Sequence, residues 1–97
     1  MLSIEKIRDT VVPLAKQYGL ERIVLFGSYA RGDATEESDV VFRIDRGTMR
    51  GIEIGGLYED IRESLKKNID LVTTKQLDNQ FLNAIKQEEI LLYKKHK

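Results

Sequence analysis

The chain has 97 residues, 41% of them hydrophobic, with 16 Lys+Arg balancing 16 Asp+Glu, one histidine and no cysteine. A chain of this size buries one core and not two, so a single domain over residues 1–97 is expected. The lack of cysteine excludes disulfides, zinc fingers, iron–sulfur clusters and thiol catalysis, the lone His96 leaves little for a histidine triad, and the zero net charge removes the broad drive behind nucleic-acid binding. No apolar run approaches the ~18 to 20 residues that span a bilayer, and the opening MLSIEKIRDT is too charged for a signal peptide. The expectation is a cytoplasmic protein without a membrane partner, whose chemistry rests on carboxylates, hydroxyls, Arg, Lys and backbone amides.

Ile4, Ile7, Val11, Leu14 and Tyr18 recur at helical spacing, which predicts a first helix capped by Ser3 and ended by Gly19. Pro13 predicts a kink or break within it. Arg22 to Phe26 is a β-branched and aromatic run between Gly19 and Gly27, read as a buried strand that ends in a glycine-serine loop. Asp39 to Asp45 alternates, with Val40, Phe42 and Ile44 on one face and Asp39, Val41, Arg43 and Asp45 on the other; Val41 is the anomaly on the polar side. Ile54 to Lys67 predicts a second long helix and Asn68 to Thr73 a third strand. Leu77, Phe81 and Ile85 mark a third helical face, and Glu89 to Tyr93 a last short strand. The fold class is therefore α/β in two layers, with long helices on one side of a small sheet and the other side partly open for a site.

The stretch Phe26-Gly27-Ser28-Tyr29-Ala30-Arg31-Gly32-Asp33 carries the chemistry. Gly27 allows close approach of a backbone to a ligand, and Ser28 is placed to cap a short turn, Tyr29 to Arg31, that Gly32 closes. Such a turn presents unpaired N–H groups suited to phosphate, though the same residues also build ordinary connections. It is not a Walker loop, because Asp33 follows Gly32 where that motif needs Lys-Ser/Thr. Asp39 opens a strand directly after the loop, and Asp70 interrupts the apolar run NIDLVT. Two aspartates near a phosphate-binding turn suit a hard divalent cation such as Mg²⁺, while singly each also reads as a loop-end or solvated edge carboxylate. Tyr29 and Tyr58 read as packing residues or as base-stacking surfaces.

Together, FGSYARGDATEESD, the hydrophobic strand after it and IDLVT resemble the minimal nucleotidyltransferases, small relatives of the polymerase-β-like palm with the pattern G-S-x-A-R-G, S-D-x-D and a third Asp in a downstream strand. The resemblance covers nearly the whole chain. It implies that Gly27 and Ser28 contact a nucleoside triphosphate such as ATP, that Arg31 supports the loop or the phosphates, that Asp39 binds Mg²⁺, and that Asp70 is the third carboxylate, placed to activate the attacking hydroxyl. It further implies an antitoxin that transfers AMP to a hydroxyl, a tyrosine, of a HEPN-type toxin, in a homo- or hetero-oligomer.

One position departs from that pattern, since Ser38-Asp39-Val40-Val41 stands where the family has S-D-x-D. Residues 39 and 41 share a face, so Val41 occupies the place of the second metal ligand, and an isopropyl group cannot ligate Mg²⁺. Asp45 is on the same face but roughly 13 Å further along the strand, too far to substitute. Two readings follow: a nucleotidyltransferase with an impaired metal site, or an inactive binding protein that neutralises its partner by occlusion.

Overall fold

The computed structural model describes residues 2–74 and 88–95, so the helical face expected at Leu77, Phe81 and Ile85 lies outside the described residues. Helix α1 (Ile4–Tyr18) starts where the Lys6 amide donates to Ser3 Oγ at 3.0 Å and stops at Gly19, which is left-handed. The break expected at Pro13 does not occur. A proline in a helix interior costs about 3 kcal/mol. Ile7 and Val11 before it and Ala15 after it are fully buried, which holds the segment together across the missing N–H.

Strand β1 (Arg22–Phe26) leads through Gly27 into a one-turn helix α2 (Ser28–Arg31), and strand β2 (Val40–Asp45) follows the loop. Asp39 thus stands one residue ahead of its strand. A 3₁₀ turn at Gly51–Glu53 leads into helix α3 (Ile54–Leu65), then come β3 (Ile69–Thr73) and β4 (Ile90–Lys94). Helix α3 ends two residues short of the expected Lys67, because Lys66 turns left-handed and the Lys67 ammonium donates to the Glu36 carbonyl at 2.7 Å.

The four strands form one sheet in the order β3-β2-β1-β4. β1 is antiparallel to β2 and β4, while β2 and β3 are parallel, joined by the crossover through α3. Ile7, Val11 and Ala15 of α1 and Leu57, Ile61 and Leu65 of α3 pack with Leu25 and Phe42 of the sheet in one core. Both long helices therefore belong to one layer. The other face is open only in part: Val24 and Arg43 on it are buried, Phe26 and Val41 are half-buried, and Asp70 is exposed. A register shift in β4 turns Leu92 into the core and leaves Leu91 half exposed.

Candidate active site

Phe26, Val41 and Asp70 form one rung across three strands, Phe26 pairing with Val41 and Val41 with Asp70. Residues paired across a ladder share a face, and this rung lies on the side away from the helices. Asp39 precedes Val41 by two residues, just ahead of β2, which puts its Cα roughly 8 Å from that of Asp70 at standard strand spacings. Both aspartates are exposed, and among the described residues neither is drawn into a hydrogen bond or ion pair. Asp45, by contrast, is engaged: Arg22 Nε lies 2.8 Å from its Oδ2, close enough for an ion pair although the N–H is poorly aligned for a hydrogen bond.

The glycine-serine loop closes the end of this rung. Gly27 sits at φ 83°, ψ −154°, a region that essentially only glycine enters. A Cβ built there would lie 3.8 Å from Val41 Cγ2, so space is not the constraint; the backbone turn is. That turn brings the start of α2 against Val41. Ser28 does not cap the turn as expected. Gly27 holds the cap position, so Ser28 is already the first helical residue, and no side chain satisfies the end. Gly32 closes the turn as expected, its N–H donating to the Ser28 carbonyl at 3.0 Å. Tyr29 is buried in the core, which removes it as a base-stacking surface.

Arg31, the last residue of α2, is held on two sides. Its Nε donates to Asp33 Oδ2 at 3.2 Å and its Nη1 to Glu88 Oε2 at 3.4 Å, and the hydrogen bond and charge of Asp33, with those of Glu88, push its pKa above the ordinary value. Beyond Asp39 opens a cleft of about 720 Å³ between the loop residues Glu36 and Glu37 and the basic end of α3, Arg62, Lys66 and Lys67.

The donor set fits one hard cation and not two. Among the described residues no three His, Cys, Asp or Glu side chains converge on a common point. Asp39 and Asp70 can supply two oxygens, leaving phosphate and water to complete a single Mg²⁺ shell, whereas a pair of cations about 3.5 to 4 Å apart needs a carboxylate where the Val41 isopropyl stands.

Arg43 is the feature that periodicity missed. Placed on the polar face by alternation, it is only 7% exposed. Its Nη2 donates to Glu89 Oε2 at 2.5 Å and its Nη1 to Thr74 Oγ1 at 2.8 Å, so one side chain of β2 joins the end of β3 to the start of β4. No spacing signal announces such a contact, since its partners lie 31 and 46 residues away.

A sheet of this order, with a Gly-Ser loop, an exposed aspartate opposite Val41 and another just ahead of that strand, is the architecture of a nucleotidyltransferase palm. The family model described as Polymerase beta, Nucleotidyltransferase matches residues 5–97, and the chain belongs to that family. It is 30% identical to the protein adenylyltransferase MntA of Thermococcus cleftensis over 98 aligned residues, covering 93% of this chain and 96% of that one. The fold matches a crystal structure of a toxin-antitoxin with AMP-PNP at a TM-score of 0.74 and 21% identity, covering 92% of this chain and 74% of that one. It also matches a structure of a tri-AMPylated Shewanella oneidensis HEPN toxin in complex with its MNT antitoxin, at a TM-score of 0.69 and 18% identity over 94% of this chain and 72% of that one. The minimal nucleotidyltransferase fold expected from the motifs is thereby established. Among the described residues no helix is long and apolar enough to cross a membrane.

Proposed function

We propose that this protein is the antitoxin of a HEPN-type toxin and transfers AMP from ATP to a hydroxyl, a tyrosine, of that toxin, at a rate held down by Val41. The observation that carries the reading is the single rung on which Asp70 and the loop end Phe26 flank position 41, with Asp39 two residues before it. The full-length similarity to an adenylyltransferase and the likeness in fold to toxin-antitoxin complexes support it.

In this reading Gly27 and Ser28 bring backbone amides to the triphosphate and Arg31 meets its charge. Asp39 and Asp70 would hold one Mg²⁺, which when bound neutralises phosphate charge. Asp70, exposed on the edge strand, takes the proton from the acceptor hydroxyl as its oxygen attacks the α-phosphorus and pyrophosphate leaves. With no carboxylate at 41, the attacking and leaving oxygens are not clamped from both sides. A domain this small leaves acceptor recognition to docking of the acceptor protein itself.

A second reading is favoured by Val41 alone: the chain neutralises its partner by occlusion, without chemistry. Transfer of label from α-labelled ATP to the purified toxin, with Mg²⁺, separates them. The proposal expects slow labelling by this protein and labelling by Val41→Asp at least about 10-fold faster, the smallest change that loss of a ligand's support around a metal brings. Labelling by Val41→Asp alone favours occlusion, and labelling by neither overturns the transferase reading.

A further inference from the structure

Two consecutive glutamates just before β4 are each held by an arginine of the candidate site. Glu89 is bound by the buried Arg43 of β2 at 2.5 Å, with side-chain exposures of 9% and 15% for the Arg and Glu. Glu88 reaches Arg31 of α2 at 3.4 Å, with both side chains 42% exposed. The first contact is a shielded anchor, while the second is a long, solvent-screened pair that contributes little to stability. Arg31 is therefore fixed within its own loop by Asp33 and only loosely engaged by Glu88 on its other nitrogen.

We propose that Glu88 is an affinity-setting residue of the nucleotide site: its carboxylate occupies the Arg31 Nη1 that a triphosphate would otherwise engage, and the Glu89–Arg43 anchor keeps it within reach. The inference rests on the reading that Arg31 meets the phosphates. A guanidinium donates in a planar fork suited to carboxylate or phosphate oxygens, so the two anions compete for one donor. A phosphate brings more charge than a carboxylate and displaces it when bound. Displacement frees Glu88 while Glu89 stays anchored, so the backbone leading into β4 does not have to move.

The test is the ATP affinity of the full chain and of Glu88→Gln, Arg31→Ala and the double variant, by calorimetry at fixed ionic strength. Glu88→Gln is expected to bind ATP about 1.5- to 5-fold more tightly, the range set by a screened surface ion pair. Arg31→Ala is expected to weaken binding, and most of the Glu88→Gln gain is expected to vanish in the Arg31→Ala background. An unchanged affinity in Arg31→Ala overturns the phosphate role of Arg31 itself. Weakening in Arg31→Ala with no gain in Glu88→Gln overturns the competition while leaving that role standing. An equal gain in both backgrounds also overturns it, because simple removal of a negative charge then accounts for the effect.

Discussion

Val41 stands opposite Asp70 in the parallel ladder between β2 and β3. An apolar side chain is thus the direct cross-strand neighbour of an exposed carboxylate. Replacing Val41 by Asp would set two like charges side by side, which destabilises a sheet by about 0.2–1 kcal/mol. Val41→Asp is expected to melt below the unmodified protein in EDTA and to regain stability in Mg²⁺, since a ion bound only by the folded state stabilises it. Thermal unfolding with and without Mg²⁺ checks this. No recovery in Mg²⁺ would mean that position 41 does not face a shared cation site.

Gly27 is constrained by its backbone and not by crowding, because a Cβ there meets Val41 only at ordinary contact distance. Gly27→Ala should cost about 1–3 kcal/mol, the usual range for a side chain forced into so sparse a region. Denaturant titration measures the cost. A loss well under 1 kcal/mol would show that the loop relaxes without harm.

The Arg43–Glu89 pair should behave as a buried ion pair. Arg43→Met alone, which leaves the Glu89 carboxylate without its counter-charge, is expected to cost about 3–5 kcal/mol, and Arg43→Met with Glu89→Gln distinctly less. Equilibrium unfolding of the two variants separates a paired charge from simple packing, for which the double replacement would be no milder than the single one.

Tyr18 donates its hydroxyl proton to Asp60 Oδ2 at 2.6 Å, and that hydrogen bond, with burial and the Asp60 charge, raises its pKa above the ordinary 10.0. A group whose pKa is raised on folding contributes stability below its unfolded pKa and loses it as pH rises through the folded value. Stability should therefore fall as pH climbs beyond 10.0. Tyr18→Phe should cost about 1 kcal/mol near neutral pH and lose that part of the alkaline decline. Unfolding curves at neutral and alkaline pH for both proteins give the comparison.

The helices and strands were legible where one face is buried, since Ile7 and Val11 or Val40, Phe42 and Ile44 repeat with the period of their element. Pro13 was misleading because local propensity is weaker than the burial on either side of it. The identity of Asp39, Asp70, Gly27 and Val41 as one constellation was readable from the motif, while the pairing of Val41 with Phe26 on one side and Asp70 on the other depends on strand order, which no local pattern encodes. Arg43, Glu88 and Glu89 were not legible as partners at all. Their contacts form only when β4 lies beside β1, and side chains that meet through tertiary pairing leave no periodic trace.

On the proposed function, Val41 stands where a ligand for metal-assisted nucleotide binding would be needed. Calorimetric titration of ATP into this protein and into Val41→Asp, each in Mg²⁺ and in EDTA, tests it most directly. Mg²⁺ is expected to tighten binding only slightly in the protein as it stands and at least about 10-fold more in Val41→Asp. Equal dependence on Mg²⁺ in the two proteins would contradict it.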